Sequence, residues 1–587
     1  EILPDSTLHL AVESLPLADR LDLLPVPLFD PRASGPVNVN LALPSPDDRD
    51  QVLAAALVAS WIGSRNEYRP MSWSVDKRLP DGHAVVFTTN DDPLPGLAPV
   101  PIAEPAIRMA DNPNGRGKLL VIEAPDSDGL VQAARYLIHP KTPPHGRRMV
   151  AEPVSSPVSR PYDAPRWNAG DAVPLRLGDL VSPDQLRVNG ITPALIRVPF
   201  RVAPDLDLWP GDTVPLRIRY RFPDGEWLDA DKSRLDVALN GQYLGSLPVT
   251  RRGLFEHLWG LVAGPLRQEQ AVLPVPPSLI HGQNELTFYF NLRYHFEDPC
   301  NVTLPTDVVS QVYPDSTLDL TETWHLAEVP ELRPFLAAGY PFTVRADLSE
   351  SALVLPKKPS LSTLDGAFTL LSRFSEATGV AGDKLAVALG RDQLRGVAER
   401  HWLALTPLED PLAGALLQPP YYFYEGRLRV RAPGLWQRLK LWALYGDNLE
   451  RDEADRALSS RSRVQAVMAD HSPLNDQRQM VLLATNQEST PAALAADLAD
   501  QRVRAELGED LSLVDDKDEI RNFRINPVSP DSDNDLSTMV RWVLGQRPDI
   551  LLICALFVLV LIAGTMVPLL RARAARRLNE HGERKKR

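Results

Sequence analysis

Asp229-Ala230-Asp231 has the form with which sugar-nucleotide transferases hold a divalent metal, two carboxylates converging on one ion. It stands alone here, in a hairpin-rich stretch without a partner motif, and the spacing predicts a turn. Asp531, Asp533 and Asp535 open like a calcium loop. The sixth position is Leu536 where such a loop needs glycine, and the twelfth is Trp542 where it needs glutamate. These acids read as helix caps. Gly115-Arg116-Gly117-Lys118 has the composition of a phosphate cradle, but Leu119 follows it and the Walker spacing is missing. There is no G-x-S-x-G elbow and no H-E-x-x-H, and the 11 histidines never cluster at ligand spacing. The reading is therefore a chain with no catalytic residues, no metal site and no cofactor.

Binding without reaction needs other residues. A pyranose ring offers C–H groups to an aromatic face while its hydroxyls seek carboxylates and amides. Trp209, Trp227, Tyr243 and Trp259 are the candidate platforms. Trp209 precedes Pro210-Gly211 and Trp227 follows Asp224-Gly225, so both sit beside turns where exposure is expected. For any one of them taken singly, core packing is the plainer expectation.

These aromatics lie in a stretch, 151–335, that reads as β. Leu216, Ile218, Tyr220 and Phe222 alternate with Arg217, Arg219 and Arg221. Ile196, Val198, Phe200 and Val202 alternate in the same way, as do Leu286, Phe288, Phe290 and Leu292. Period-two alternation sends one face to a core and the other to solvent. Asn240-Gly241 predicts a tight hairpin turn. A two-sheet sandwich of jelly-roll type accommodates the pattern.

On either side the chain repeats itself. Pro4-Asp5-Ser6-Thr7-Leu8 recurs as Pro314-Asp315-Ser316-Thr317-Leu318, an offset of 310. Leu41-Ala42-Leu43-Pro44 matches Leu353-Val354-Leu355-Pro356 at an offset of 312. A helical run follows each, ending at Gly63 and Gly379, and then the apolar strands 84–87 and 402–405. Further strands are expected at 37–43, 118–122, 464–468 and 480–484. Helices are expected at 51–62, from the cap at Asp126-Ser127 through Tyr136, on the face Leu364, Phe368, Leu371 and Phe374, and at 491–507. Strands alternating with helices predict mainly parallel, flavodoxin-like α/β layers. The expected order is the tail of a first β sandwich (1–30), an α/β domain (31–150), a carbohydrate-binding-like β sandwich (151–335) and a second α/β domain (336–530).

The last segments concern a membrane. Ile550 to Leu570 contains no charge, and its 21 residues span about 30 Å as a helix. This predicts a transmembrane helix over 549–570. The basic tail 571–587 would stay on the cytoplasmic side, with everything before the span outside. Leu536, Met539, Val540, Val543 and Leu544 follow helical spacing over 531–548, predicting an amphipathic helix at the membrane surface, with a last helix packed on the second α/β domain as the other reading. Gly564 inside the span would allow close contact with a partner helix. The formal charge of −13, with the tail itself basic, argues against nucleic acid as a partner of the large part. The 2 cysteines exclude a disulfide framework. An exported N-terminus needs a signal peptide, so one is expected to have been removed before Glu1. The 56 prolines suit short, β-rich segments better than long helical bundles.

One family carries this combination. Leu239-Asn240-Gly241-Gln242-Tyr243-Leu244-Gly245-Ser246, the strand Gly282-Gln283-Asn284-Glu285-Leu286-Thr287-Phe288-Tyr289-Phe290 and the downstream Cys300 resemble the membrane-anchored B subunit of bacterial cellulose synthase. That family is also called cyclic di-GMP-binding protein, and the resemblance covers essentially the whole chain. It implies an inner-membrane, single-pass protein with a large periplasmic region. It also implies a non-catalytic partner of the multi-span A subunit, which makes β-1,4-glucan from UDP-glucose. The membrane segments would pack against that subunit and lipid, and the β sandwiches would guide the emerging polymer. The nucleotide is expected to belong with the A subunit, since so short a cytoplasmic tail would hold no pocket. The reading set against this one is a freestanding, membrane-anchored glycan-binding or adhesion protein.

Overall fold

The structure is a computed structural model and describes residues 17–33, 35–115, 117–168, 173–208, 211–223, 227–249, 269–294, 308–434, 436, 449–460, 463–486, 490–498, 500–514, 519–530 and 548–584. Its first unit runs β1 (Val37–Ala42), α1 (Arg49–Arg65), β2 (Met71–Asp76), β3 (Ala84–Thr89), β4 (Ala106–Asp111), β5 (Lys118–Ala124), α2 (Ser127–Ile138) and β6 (Arg148–Val150). The strands form one sheet in the order β2-β1-β3-β5-β4-β6. Parallel pairing joins β2, β1, β3 and β5, while β4 and β6 are antiparallel. The Asp48 carboxylate caps α1 by accepting from the Asp50 and Gln51 amides, and Asp126 caps α2 through Gly129. From Gln51 through Gly63 every residue of α1 is buried. A helix apolar on all sides has no solvent face. The sheet covers one side of α1, and something else must cover the other.

The cover comes from the second α/β unit. It contains β13 (Ser351–Leu355), α3 (Leu361–Thr378), β14 (Ala386–Leu389), β15 (His401–Pro407), the hairpin β16 (Tyr421–Tyr424) and β17 (Arg427–Val430), β18 (Gln465–Ser472) and β19 (Asn475–Thr485). It ends with α4 (Pro491–Asp497), α5 (Gln501–Glu506), β20 (Leu511–Val514) and β21 (Ile520–Phe523). The sheet order is β14-β13-β15-β19-β18-β20-β21. Side chains from α1, α2, α3 and α4 merge with one face of both sheets into a single apolar core. Two helical layers thus sit back to back between two sheets.

The contact has the symmetry of the sequence repeat. At the offset of 312 that aligns the LALP and LVLP strands, α1 starts opposite the start of α3, Ser60 corresponds to Ser372, and Gly63 to Ser375. The observed contacts exchange these positions. The Ser60 and Ser375 hydroxyls lie 2.6 Å apart, and Gly63 lies against the Ser372 backbone. An approximate two-fold axis therefore relates the two units, as in a homodimer contact. The Trp73 indole donates to the Ser372 hydroxyl at 2.7 Å, which donates to the Ala59 carbonyl at 3.0 Å. The Val75 amide donates to Asp365 at 2.6 Å.

Three expectations change. The sheets are mixed, since β18 and β19 form an antiparallel hairpin and β20 and β21 extend it antiparallel. Gly63 does not end its helix; α1 runs on to Arg65, and the glycine serves close approach. Gly379 does end α3, as a left-handed cap. The single helix expected over 491–507 is two, because the Leu498 carbonyl accepts from Arg373 at 3.3 Å and Arg504 at 3.0 Å while Asp500 starts α5.

Between the α/β units lies the β sandwich. One sheet holds β7 (Ile196–Arg201), β9 (Arg234–Leu239), β10 (Gln242–Pro248) and β12 (Gln283–Asn291) in the order β10-β9-β12-β7. The facing sheet is built on β8 (Val214–Arg221), with which β11 (Glu269–Val275) pairs antiparallel. Alternate residues of both sheets fill the core, including Phe200, Phe222, Phe288 and Phe290. Asn240 and Gly241 take φ of 52° and 79° in the expected hairpin turn.

Beneath the root of the β16–β17 hairpin Asp510 is fully buried and Asp470 half-buried. Burial raises Asp470 to about 6 and Asp510 to about 7, although Asp510 accepts from the Ile525 and Asn526 amides at 2.6 Å each. A folded-state pKa above the unfolded one gives stability that is fully present below about 4 and is lost as pH rises through about 7. Asp510→Asn removes this loss and keeps one acceptor oxygen. We expect its unfolding temperature relative to wild type to climb between pH 5 and pH 8, by the equivalent of roughly 2 kcal/mol. Thermal unfolding of the full chain across that range checks it, and a pH-independent difference would contradict it.

The final described helix, α6 (Pro548–Arg584), leaves the body altogether. Its segment Ala555–Ala574 has a mean hydropathy of 2.2 and is long and apolar enough to cross a membrane. Leu556, Phe557, Val558, Leu559 and Val560 are each more than half exposed. The Thr565 hydroxyl is satisfied within the helix, at 3.0 Å from the Leu561 and Ile562 carbonyls, as an apolar surrounding requires.

Candidate functional site

The alternation that buries Leu235, Val237 and Leu239 of β9 turns Arg234, Asp236 and Ala238 outward. On β12 the same rule buries Phe288 and Phe290 and turns out Thr287 and Tyr289. A bulge between Val237 and Ala238 shifts β10, so that Tyr243 stands opposite Ala238 and Ser246 opposite Asp236. Across β9, Tyr289 also stands opposite Asp236, and Thr287 opposite Ala238. One open face thus carries two rings, Tyr243 at 66% and Tyr289 at 40% exposure. Ala238, between Tyr243 and Thr287, leaves the middle of the face low.

The polar groups on this face are already organised. The Tyr243 and Ser246 hydroxyls are 2.6 Å apart, Ser246 donates to the Asp236 carboxylate, and the Arg234 guanidinium donates to Asp236 at 3.0 Å. The two rings sit on strands either side of β9, about 10 Å apart across the sheet, far enough to meet different units of one polymer. The assembly presents aromatic faces, hydroxyls, a carboxylate and a guanidinium, all solvent-facing. This is chemistry for binding a polyhydroxylated chain.

Of the aromatics selected from sequence, Tyr243 belongs to this face. Trp227 is half-buried against the sandwich core, and Trp209 and Trp259 lie outside the described residues. Tyr289, Asp236, Ser246 and Arg234 were not selected. Tyr289 was readable, because it alternates with Phe288 and Phe290. Leu536, Met539, Val540, Val543 and Leu544 lie outside the described residues. A Cβ at Gly564 would meet nothing within 4 Å, so this position of α6 is open.

The motifs weighed for catalysis are structural where described. Asp229 starts a turn, its carbonyl accepting from Ser233 at 2.9 Å and its carboxylate from the Asp231 amide at 3.2 Å. Gly115 and Gly117 belong to the turn of the β4–β5 hairpin, and Lys118 pairs with Asp19 and Asp111 at 2.6 and 2.5 Å. At the C-terminal ends of β1 and β3, where α/β sheets take ligands, side chains bond to one another. Gln51 donates to Asp92 at 2.9 Å and accepts from the Ser45 amide at 3.1 Å. Among the described residues no group of three or more His, Cys, Asp or Glu is placed to hold a metal ion.

The class the fold defines is a chain in which mixed α/β units flank a β sandwich, followed by one helix long and apolar enough to cross a membrane. The comparisons make the class specific. Residues 20–151 match the model for the first FD domain of cellulose synthase BcsB, 174–317 that for its second CBM domain and 325–483 that for its second FD domain. A cyclic di-GMP-binding protein of Xanthomonas axonopodis pv. citri is 31% identical, over 98% of this chain and 75% of that protein. One of the same name from Komagataeibacter xylinus is 29% identical, over 98% of this chain and 73% of that protein. Cellulose synthase 1 of Novacetimonas hansenii is 29% identical over 99% of this chain, which spans 38% of its length. The chain belongs to the cellulose synthase BcsB family.

Proposed function

We propose that this chain is the non-catalytic, membrane-anchored subunit of a cellulose synthase, supporting a multi-span catalytic subunit through its anchor and guiding the β-1,4-glucan as it emerges. The observation that carries the reading is the order of the three family matches, 20–151, 174–317 and 325–483, with a bare apolar helix after them. In this reading α6 crosses the bacterial inner membrane, the body stands in the periplasm and the basic tail in the cytoplasm. Residues 1–30 close an earlier β sandwich, and 531–548 form an amphipathic helix along the membrane. The α/β units are flavodoxin-like scaffolds and the sandwich is a jelly roll. The nucleotide in the relatives' name is read by the catalytic partner.

Tyr243 and Tyr289 are the glucan platform, and long polymers favour such weak, repeated contacts over one tight site. Removing one stacking ring should cost about 1.5 kcal/mol, or roughly tenfold in affinity. Tyr243→Ala and Tyr289→Ala, measured on the full chain with a soluble β-1,4-glucan oligosaccharide, should each show that loss. Unchanged affinity in the double variant would move the site off this face. The subunit role itself is tested by purifying the chain from membranes in mild detergent. Co-purification of a multi-span glycosyltransferase is expected, whereas a chain that always purifies alone is a freestanding anchored binder.

A further inference from the structure

The hairpin β16–β17 is built unlike the rest of the second α/β unit. Its root is apolar and buried, with Tyr421, Leu428 and Val430 in the core on the face of the sheet away from α3. Its tip turns through Glu425 and Gly426, with φ of 49° and 75°, and presents Phe423 and Tyr424 at 38% and 56% exposure. Trp436, a few residues on, is 86% exposed. Basic residues flank these rings. Arg429 is fixed by Asp455 through two bonds of 2.7 and 2.6 Å. Arg427 donates to the Ser459 carbonyl at 3.0 Å, and the exposed Arg431 lies over the Tyr422 ring at 5.6 Å. On the hairpin itself three guanidiniums stand against Glu425, while the helix Arg451–Ser460 packed on β17 brings Asp452, Glu453 and Asp455 with Arg456.

The hairpin root shares its core with the C-terminal strands of the unit. Ile525 packs in the same core as the hairpin root, and Asp510, beside the Tyr421 ring, holds the Ile525 and Asn526 amides. From Pro530 to the start of α6 at Pro548 only residues 531–547 intervene, a reach of at most roughly 60 Å. Before that gap the chain pairs Ser529–Pro530 with Glu328–Val329, so the hairpin root lies near the last described strands and within that reach of the bilayer.

We infer that the 421–431 hairpin is a second membrane contact, seating Phe423 and Tyr424 among the headgroups of the bilayer that α6 crosses, with Arg427 and Arg431 facing lipid phosphates. Amphipathic rings prefer the headgroup level, and guanidiniums beside them add attraction to anionic lipid. This inference rests on α6 spanning a bilayer and is independent of the glucan role, so either can fail without the other.

The experiment uses the full chain in vesicles of phosphatidylcholine and phosphatidylglycerol. An environment-sensitive fluorophore is attached at position 424 in Y424C, and separately at 427 in R427C, both in a background where Cys300 and Cys554 are serine. A nitroxide on the lipid headgroup should quench both sites at least about twofold, and soluble iodide should quench them poorly. Removing phosphatidylglycerol should weaken the lipid quenching. Free access of iodide with no lipid quenching overturns the inference. So does shielding that arises only when a catalytic partner is added, which would make the hairpin a protein-docking element.

Discussion

Gly63→Ala should cost the full chain about 3 kcal/mol or more, although alanine is the better helix former. On propensity alone, glycine to alanine inside a helix gains up to about 1 kcal/mol. The clash decides the sign. A Cβ at Gly63 would lie 2.2 Å from the Ser372 carbonyl oxygen and 2.5 Å from its Cα, backbone atoms that cannot rotate away. The two units must then separate along α1 and α3, exposing the core they share. Gly414, in the short helix Pro411–Leu416, is the control, since a Cβ there meets nothing within 4 Å. Gly414→Ala should be neutral or slightly stabilising. Thermal unfolding of both variants checks the pair, and equal behaviour would mean that the α1–α3 contact is not a tight one.

The second large effect concerns the span. Ten of the residues in Ala555–Ala574 are Leu, Ile, Val or Phe, and each favours insertion by about 0.3–0.6 kcal/mol. Deleting α6 should therefore release the chain from membranes and, if the proposed function holds, abolish glucan synthesis. The sharper variant replaces 550–570 with an unrelated apolar helix of equal length. Membrane retention should persist while synthesis in reconstituted vesicles drops more than about tenfold, because packing between spans depends on shape and small residues. Full synthesis with the foreign span would reduce α6 to an anchor.

Much of this molecule was legible wherever one local rule acted alone. The sandwich strands followed period-two alternation, and Asn240-Gly241 made the turn it signals. The repeat was visible too, and its offset of 312 reappears as the exchange between Ser60, Gly63, Ser372 and Ser375. What escaped depends on distant partners. Gly63 looked like a stop because glycine ends helices, yet its role is set by a backbone more than 300 residues away. The break after Asp497 is made by guanidiniums that claim the Leu498 carbonyl. Neither leaves a mark in the surrounding residues.

The candidate site divides in the same way. Tyr243 followed from its hairpin and Tyr289 from its alternation. Trp227 was drawn in by its turn and folds back against the core. The link from Ser246 to Asp236 depends on the bulge at Val237–Ala238, which no residue in β9 announces.

Synthesis by purified components tests the central claim most directly. The full chain, a multi-span glucan synthase of its family's complex, and the two together are placed in vesicles with UDP-glucose, and polymer is measured. This chain alone should make none, the synthase alone little, and the pair a sustained yield of β-1,4-glucan. Turnover by this chain alone, or undiminished synthesis without it, would contradict the account.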